Sequence, residues 1–448
     1  RRLDVGWRAD REAGTGIADS VGTSGEGNGM VSVKDEEWLF PFYDWQPPAP
    51  AGEVPGRWRQ ATLLDTTLRD GIQSVLSRYP SLEQKLLLVD LLMELGIDAF
   101  DVGFPVSNPR HKEHTHATVA HIARRNPAAR LVCLARSKCE DVRAIADLGQ
   151  AAGTQMEALV FVGSSPIRLM VEQWNVGAMV RWATETIDCA IHEGLVVNFA
   201  CEDATRSEPE TLRVLHTAAL EHGASRFTIP DTVGICSVAS TTRIVQFLRA
   251  DVIQGRPIGI DWHGHNDRGL AVANAMAALA AGADCVHTTV LGIGERCGNV
   301  ALEPMVANLY YEGGRAYRMA VLPRLVEWAA LVLDEPVPTR HPVVGRNAYS
   351  TAAGIHGAAI LKASRLAQPE LIANIYAGVD PRLTSRAVEV QVGPLSGSAN
   401  VEWAAANLGI PFSAELAGQA LDRAREVDRI LTDEEIVEIA RRVVTGAV

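Results

Sequence analysis

The chain has 448 residues, 47% of them hydrophobic and 21% charged, an ordinary globular composition that excludes disorder of the whole. With 42 Lys and Arg against 54 Asp and Glu the formal net charge is −12, and no basic patch interrupts it, which argues against a nucleic-acid partner. Seven scattered cysteines without a C-x-x-C pair point to reduced thiols, and no apolar run reaches about 18 residues, so a soluble cytoplasmic protein is expected, with no membrane partner.

Residues 1–29 read as a polar arm ending in a Gly- and Ser-rich stretch before Met30, a candidate biological start. From Glu37 to Pro48 aromatics and prolines crowd together, the composition of an extended strap packed on a body or a partner subunit. From Ala61 a unit repeats: a short apolar run rich in β-branched residues, a polar loop, then helical apolar spacing. The predicted strands lie near 61–65, 97–103, 130–135, 157–162, 195–201, 225–230, 257–263 and 284–291, with starts roughly 27 to 38 residues apart. Gly96, Gly194, Gly223 and Gly282 stand where helices would end before the next strand, and Ser81 with Gln84 forms a capping box for the helix that precedes Gly96.

Eight such units and no Gly-rich phosphate loop after the first strand predict a closed (β/α)8 TIM barrel over residues 61–320, preceded by the arm and strap of 1–60. Pro336, Pro338 and Pro342 mark a linker, so 321–448 reads as a linker and helical C-terminal region.

In such a barrel the reactive groups sit at the C-terminal ends of the strands. Strand one runs into Arg69-Asp70-Gly71-Ile72-Gln73, strand five into Glu202, strand six into Thr232, strand seven into His263-Gly264-His265, and strand eight into Gly294-Glu295-Arg296-Cys297-Gly298-Asn299. His263 and His265, two apart on an extended segment, point to one side and with Asp70 make a two-His, one-carboxylate set with open coordination positions. That set suits a divalent cation and a substrate chelating through two oxygens, such as a 2-oxo acid, whose carbonyl the metal polarises. Arg69, beside Asp70, is placed to stabilise the negative charge that develops.

The stretch Leu64 to Gln73, the run Trp262-His263-Gly264-His265-Asn266-Asp267, and Gly292 to Asn299 together resemble the 2-isopropylmalate synthase and homocitrate synthase family over about residues 60–448. The resemblance implies a metal-dependent barrel that condenses acetyl-CoA with a 2-oxo acid and then hydrolyses the thioester. It implies Asp70, His263 and His265 as ligands of a divalent cation (Mg2+, Mn2+ or Zn2+), with Asn299 in or beside the coordination shell. It further implies Glu202 near the acetyl-CoA methyl group, Thr232 on the substrate carboxylate, Gln73 at the substrate, and Glu295 as an orienting group behind the ligands. Thr351 to Gly357 resembles a C-terminal motif whose histidine, here His356, reaches the partner's active site in a homodimer to take part in abstracting the methyl proton.

Three positions depart from the better-known branches of that family. Asn198 stands where homocitrate synthases carry an arginine, Leu159 where isopropylmalate synthases carry a histidine, and Arg168 where they carry a second one. Tyr376 is a candidate for a tyrosine that aligns with Val388. Arg168, if turned inward, would pair with a carboxylate or phosphonate, so homocitrate, citramalate and phosphonomethylmalate-type synthases stay open beside the isopropylmalate reading. A hydroxyacyl-CoA lyase or aldolase on the same barrel, or a non-catalytic scaffold, are the rivals from other classes. Cys297 reads as a packing residue. About 130 residues follow the barrel, so a leucine-binding regulatory domain, and feedback by leucine, are expected to be absent.

Overall fold

The computed structural model describes residues 60–76, 78–366 and 369–445. The arm and strap expected over 1–60, with Met30, lie almost wholly outside the described residues.

Eight parallel strands close into a barrel in chain order: β1 (Thr62–Asp65), β2 (Ala99–Asp101), β3 (Arg130–Arg136), β4 (Met156–Gly163), β5 (Val196–Glu202), β6 (Arg226–Asp231), β7 (Gly259–Gly264) and β8 (Cys285–Thr288). Thr62 to Asp65 pair with Cys285 to Thr288 and shut the barrel. All eight fall on the apolar, β-branched runs of the sequence, because a strand buried on both faces needs that composition. Between them run α1 (Leu82–Leu95), α2 (Pro109–Arg125), α3 (Cys139–Ala152), α4 (Pro166–Glu172), α5 (Val176–His192), α6 (Pro209–Glu221), α7 (Val238–Phe247) and α8 (Ala271–Ala281). The Ser81–Gln84 capping box is formed, and Gly96, Gly194, Gly223 and Gly282 all take positive φ just past their helices.

After β8 come α9 (Leu302–Tyr311) and α10 (Leu322–Val332). Leu322, Leu325, Trp328 and Leu333 belong to the same buried cluster as the barrel helices, so the barrel core runs past 320, where the sequence period breaks. The break marks the end of the strands, not of the packing. Beyond it α11 (Gly354–Ser364), α12 (Pro369–Asn374), α13 (Ser398–Leu408), α14 (Ala414–Val427) and α15 (Asp433–Thr445) form the expected helical region. A second core there gathers Val392, Val401, Leu416, Ala420, Ile436 and Ile439. A two-stranded parallel pair, Ser350–Thr351 with Glu389–Val390, was not foreseen.

The barrel interior is unusually polar. Its apolar layer is thin, with Leu64, Ala99, Val132, Leu159, Ala200 and Cys285. Within the same interior, Arg130 donates to Glu157 at 2.6 and 2.8 Å and to Asp261 at 2.7 Å, and Arg226 donates to Asp261 at 2.6 Å. Asn198 donates to Glu157 at 2.9 Å and accepts from Thr228 at 3.0 Å. Removing one member of such a group strands its partners in a dry interior. Arg130→Met is therefore expected to cost roughly 3 kcal/mol of stability, read as a lower urea midpoint; an unchanged midpoint would show that the network contributes nothing.

Candidate active site

The mouth of the barrel holds a cavity of about 370 Å³ lined by residues from most of the strand ends. Arg69, Asp70 and Gln73 enter it from the segment after β1, which makes a wide turn: the amides of Gly71 and Ile72 donate five residues back, to Thr66 and Thr67, each at 3.0 Å. Such turns are rare and recur at functional sites because they push a side chain out of helical register. Here the turn sets Arg69 and Asp70 side by side, and the guanidinium of Arg69 donates to the Asp70 carboxylate.

Asp70 is 5% exposed, and His263 and His265 are 7% and 5%. The imidazole Nε2 atoms lie 3.5 and 3.7 Å from Asp70 Oδ2, and among the described residues this trio is the one group gathered closely enough to hold a metal ion. Burial alone would raise Asp70, but Arg69, His263 and His265 together outweigh it and hold the carboxyl well below its ordinary range. Burial lowers His263, and lowers His265 to about 4, so both rings are neutral at pH 7 and offer lone pairs. Asp70 Oδ2 and Asn299 Oδ1 are buried and accept no hydrogen bond. Buried acceptors are rarely left so, and oxygen atoms of this kind beside two imidazoles fit a divalent cation.

Asn299 comes from the loop after β8, which folds back on itself: its amide donates to Gly292 O at 2.8 Å and its side chain to Ile293 O at 3.1 Å. The glycines are required, since a Cβ on Gly298 would stand 1.8 Å from Gly292 O and one on Gly294 2.1 Å from Asn299 Nδ2. Arg296 clamps this loop to its neighbours, donating to Asp267 at 2.8 Å and to Thr232 O at 2.6 Å. Glu295 faces the cavity itself.

Glu202 and Thr232 line the opposite wall. Thr232 Oγ1 accepts the Asp203 amide at 2.9 Å, which leaves its hydroxyl hydrogen for a ligand. Burial raises Glu202 above the ordinary carboxylate range. Arg168 does turn inward: its Nε lies 3.2 Å from Glu202 Oε2, its Nη1 donates to Glu172 at 3.0 Å, and its guanidinium sits over the Trp174 ring. Two carboxylates therefore already hold its charge. The lining between these walls is mostly apolar, with Leu134, Leu159, Phe161, Ala200 and Pro230 and the one hydroxyl of Thr228. Asn198 is not among the lining residues; it donates to Glu157 and accepts from Thr228, which does line the cavity.

His356 is not among the cavity-lining residues of its own chain. It sits on α11, stacked on Tyr376 with ring centroids 3.8 Å apart, and its Nδ1 is 3.3 Å from Thr351 Oγ1. Cys297 is exposed, which corrects the packing role expected of it; the left-handed turn at Arg296 carries it outward. The sequence reading passed over Asp101, at the end of β2, which accepts from Arg69 Nε at 2.6 Å and Thr66 Oγ1 at 3.0 Å. An acidic residue closing a barrel strand was the available signal.

Fold and donor set describe a (β/α)8 barrel with an Asp/His/His group at its mouth that could hold a metal ion. The chain belongs to the HMGL-like family, whose model matches residues 60–332. A probable 2-isopropylmalate synthase of Ignicoccus hospitalis is 31% identical, covering 88% of this chain and 94% of that one. Homocitrate synthase AksA of Methanopyrus kandleri is 33% identical, covering 86% and 92%. Among solved structures, hydroxymethylglutaryl-CoA lyase from Pseudomonas aeruginosa superposes with a TM-score of 0.54 at 21% identity, covering 62% of this chain and 95% of that one, a likeness of fold.

Two outcomes follow from the buried carboxylates at the ends of β1 and β2. Asp101→Asn, which removes the charge that fixes Arg69, is expected to lower kcat on the order of 10²-fold with a smaller change in KM; an unchanged kcat would remove Asp101 from the site. Asp65, 2% exposed and bonded to Thr67, is pushed up to about 7 by burial. Its raised value means the folded state prefers the protonated form, so its contribution is intact below about pH 4 and is lost as pH rises through 7. Asp65→Asn is expected to raise Tm at pH 8 and to leave it near wild type at pH 4; a lower Tm at pH 8 would contradict this.

Proposed function

We propose that the protein condenses acetyl-CoA with a 2-oxo acid bearing a short alkyl side chain, then hydrolyses the thioester to release CoA and a 2-alkylmalate. The observation that carries the reading is the Asp70, His263 and His265 set beside Arg69 in a cavity whose lining includes the apolar Leu134, Leu159, Phe161 and Ala200. The relatives' names support the reaction class.

A divalent cation held by Asp70, His263 and His265, with Asn299 alongside, would take the carboxylate and carbonyl oxygens of the oxo acid and act there as a Lewis acid. Arg69, rigid between Asp70 and Asp101, stabilises the negative charge that grows on the carbonyl oxygen. The Thr232 hydroxyl donates to the substrate carboxylate, and Gln73 closes the side of the cavity. His356 of the partner subunit removes a proton from the acetyl methyl carbon, and Glu202 stands by to carry a proton on its carboxylate. The methyl carbon then bonds to the keto carbon, the resulting alkoxide takes up a proton, and water replaces CoA at the thioester. A homodimer follows from that division of labour, and Ile355 and Leu395, 81% and 88% exposed, supply apolar surface for it. We place the enzyme in the cytoplasm; among the described residues no helix is long and apolar enough to cross a membrane.

The alkyl preference rests on what the walls lack. An anionic side chain needs an unpaired cation, and Arg168 is held by Glu202 and Glu172. Incubation with acetyl-CoA, Mg2+ or Mn2+ and a panel of 2-oxo acids, followed by free CoA thiol, is expected to show greatest turnover with an alkyl oxo acid. Greatest turnover with 2-oxoglutarate or phosphonopyruvate would overturn the preference. No release with any acid, alongside cleavage of a hydroxyacyl-CoA, would overturn the reaction.

A further inference from the structure

Behind His263, which lines the cavity, stands a chain of buried groups. Nδ1 of His263 lies 3.2 Å from Nδ1 of His287, and Nε2 of His287 lies 3.2 Å from Asp261 Oδ2. His287 is 1% exposed and Asp261 0%. Asp261 also accepts from Arg226 at 2.6 Å, from Arg130 at 2.7 Å and from Asn198 at 3.4 Å. Burial would raise this carboxyl, but the two guanidiniums outweigh it and keep it ionised.

An ionised carboxylate only accepts, so the hydrogen between Asp261 and His287 belongs to His287 Nε2. An imidazole that donates from Nε2 keeps the lone pair of its Nδ1 to accept with. The hydrogen between the two rings then sits on His263 Nδ1, which leaves His263 Nε2 bare on the side of Asp70.

We propose that His287 and Asp261 are positioning residues that lock His263 in its Nδ1–H tautomer and so present its Nε2 lone pair to the divalent cation. This rests on the metal-dependent reading above and adds the device that prepares the ligand before the ion arrives. A ligand whose tautomer and ring orientation are already set binds without reorganising.

The test uses the metal-free full chain with 15N-labelled histidine and a long-range 15N–1H correlation, His263 being assigned by loss of its signals in His263→Gln. Wild type is expected to show His263 protonated at Nδ1. In His287→Leu, which cannot accept, the tautomer is expected to change and Mn2+ affinity, by calorimetry, to fall about 10- to 100-fold. In His287→Gln the amide carbonyl accepts from His263 while the NH2 donates to Asp261, so the tautomer and Mn2+ binding are expected to stay near wild type. An Nε2–H tautomer in a wild type that binds Mn2+ overturns the lock, as does an unchanged tautomer in folded His287→Leu. If the Leu variant does not fold, wild type and His287→Gln decide: loss of the Nδ1–H tautomer in the folded Gln variant also overturns it. A wild type that binds no Mn2+ overturns the metal reading beneath the proposal, a result distinct from a wrong tautomer.

Discussion

Asp70 can be buried and ionised at once because Arg69, with His263 and His265, lies against it, and much of the site follows from the Arg69 contact. A lone carboxylate at this depth would take up a proton and lose its value to a cation. Arg69 in turn needs a second anion on its other edge, or it would swing to neutralise Asp70 entirely. Asp101 supplies it at 2.6 Å. The guanidinium is thus stretched between two carboxylates, and Asp70 keeps one oxygen, Oδ2, free of any donor. Both residues come from the wide turn after β1, and both line the mouth.

The loops of four other strands depend on comparable cross-ties. Arg296 fastens the β8 loop to Asp267 and to the carbonyl of Thr232, and Thr232 fastens the β5 loop through the Asp203 amide. Loop-borne sites lose precision unless such bonds hold them. The Gly292–Asn299 segment achieves rigidity by close backbone approach at Gly294 and Gly298, which is why substituting either would displace Asn299 rather than merely strain a turn.

Much of this was legible in the sequence, for identifiable reasons. Parallel strands buried on both faces leave apolar runs, and helices that stop before them leave glycines, so the barrel is written in local pattern. The pair His263 and His265 is legible because spacing two on a strand fixes a common face. Asp101, Asp261 and His287 are not, because their meaning lies in the register between strands: His287 matters only because β8 sets it beside His263 on β7. Arg168 was ambiguous for the same reason. Its orientation depends on β4 pairing Gly163 with Glu202, and on the missing side chain of Gly163, where a Cβ would stand 2.8 Å from Glu202 Oε2.

The net charge of −12 gains a local meaning once the barrel axis is followed from floor to mouth. Arg130, Arg226 and Arg69 face Glu157, Asp261, Asp101 and Asp70, with His287 and His263 linking the lower pair of carboxylates to the upper. Four acids against three guanidiniums leave the column one charge negative, in a medium where charge is weakly screened. A divalent cation at Asp70 would reverse that sign at the mouth alone, turning a site that repels a 2-oxo acid into one that attracts it. A cation bound there would thus favour an anionic substrate, and under the tautomer proposal His263 is the ligand made ready for that ion.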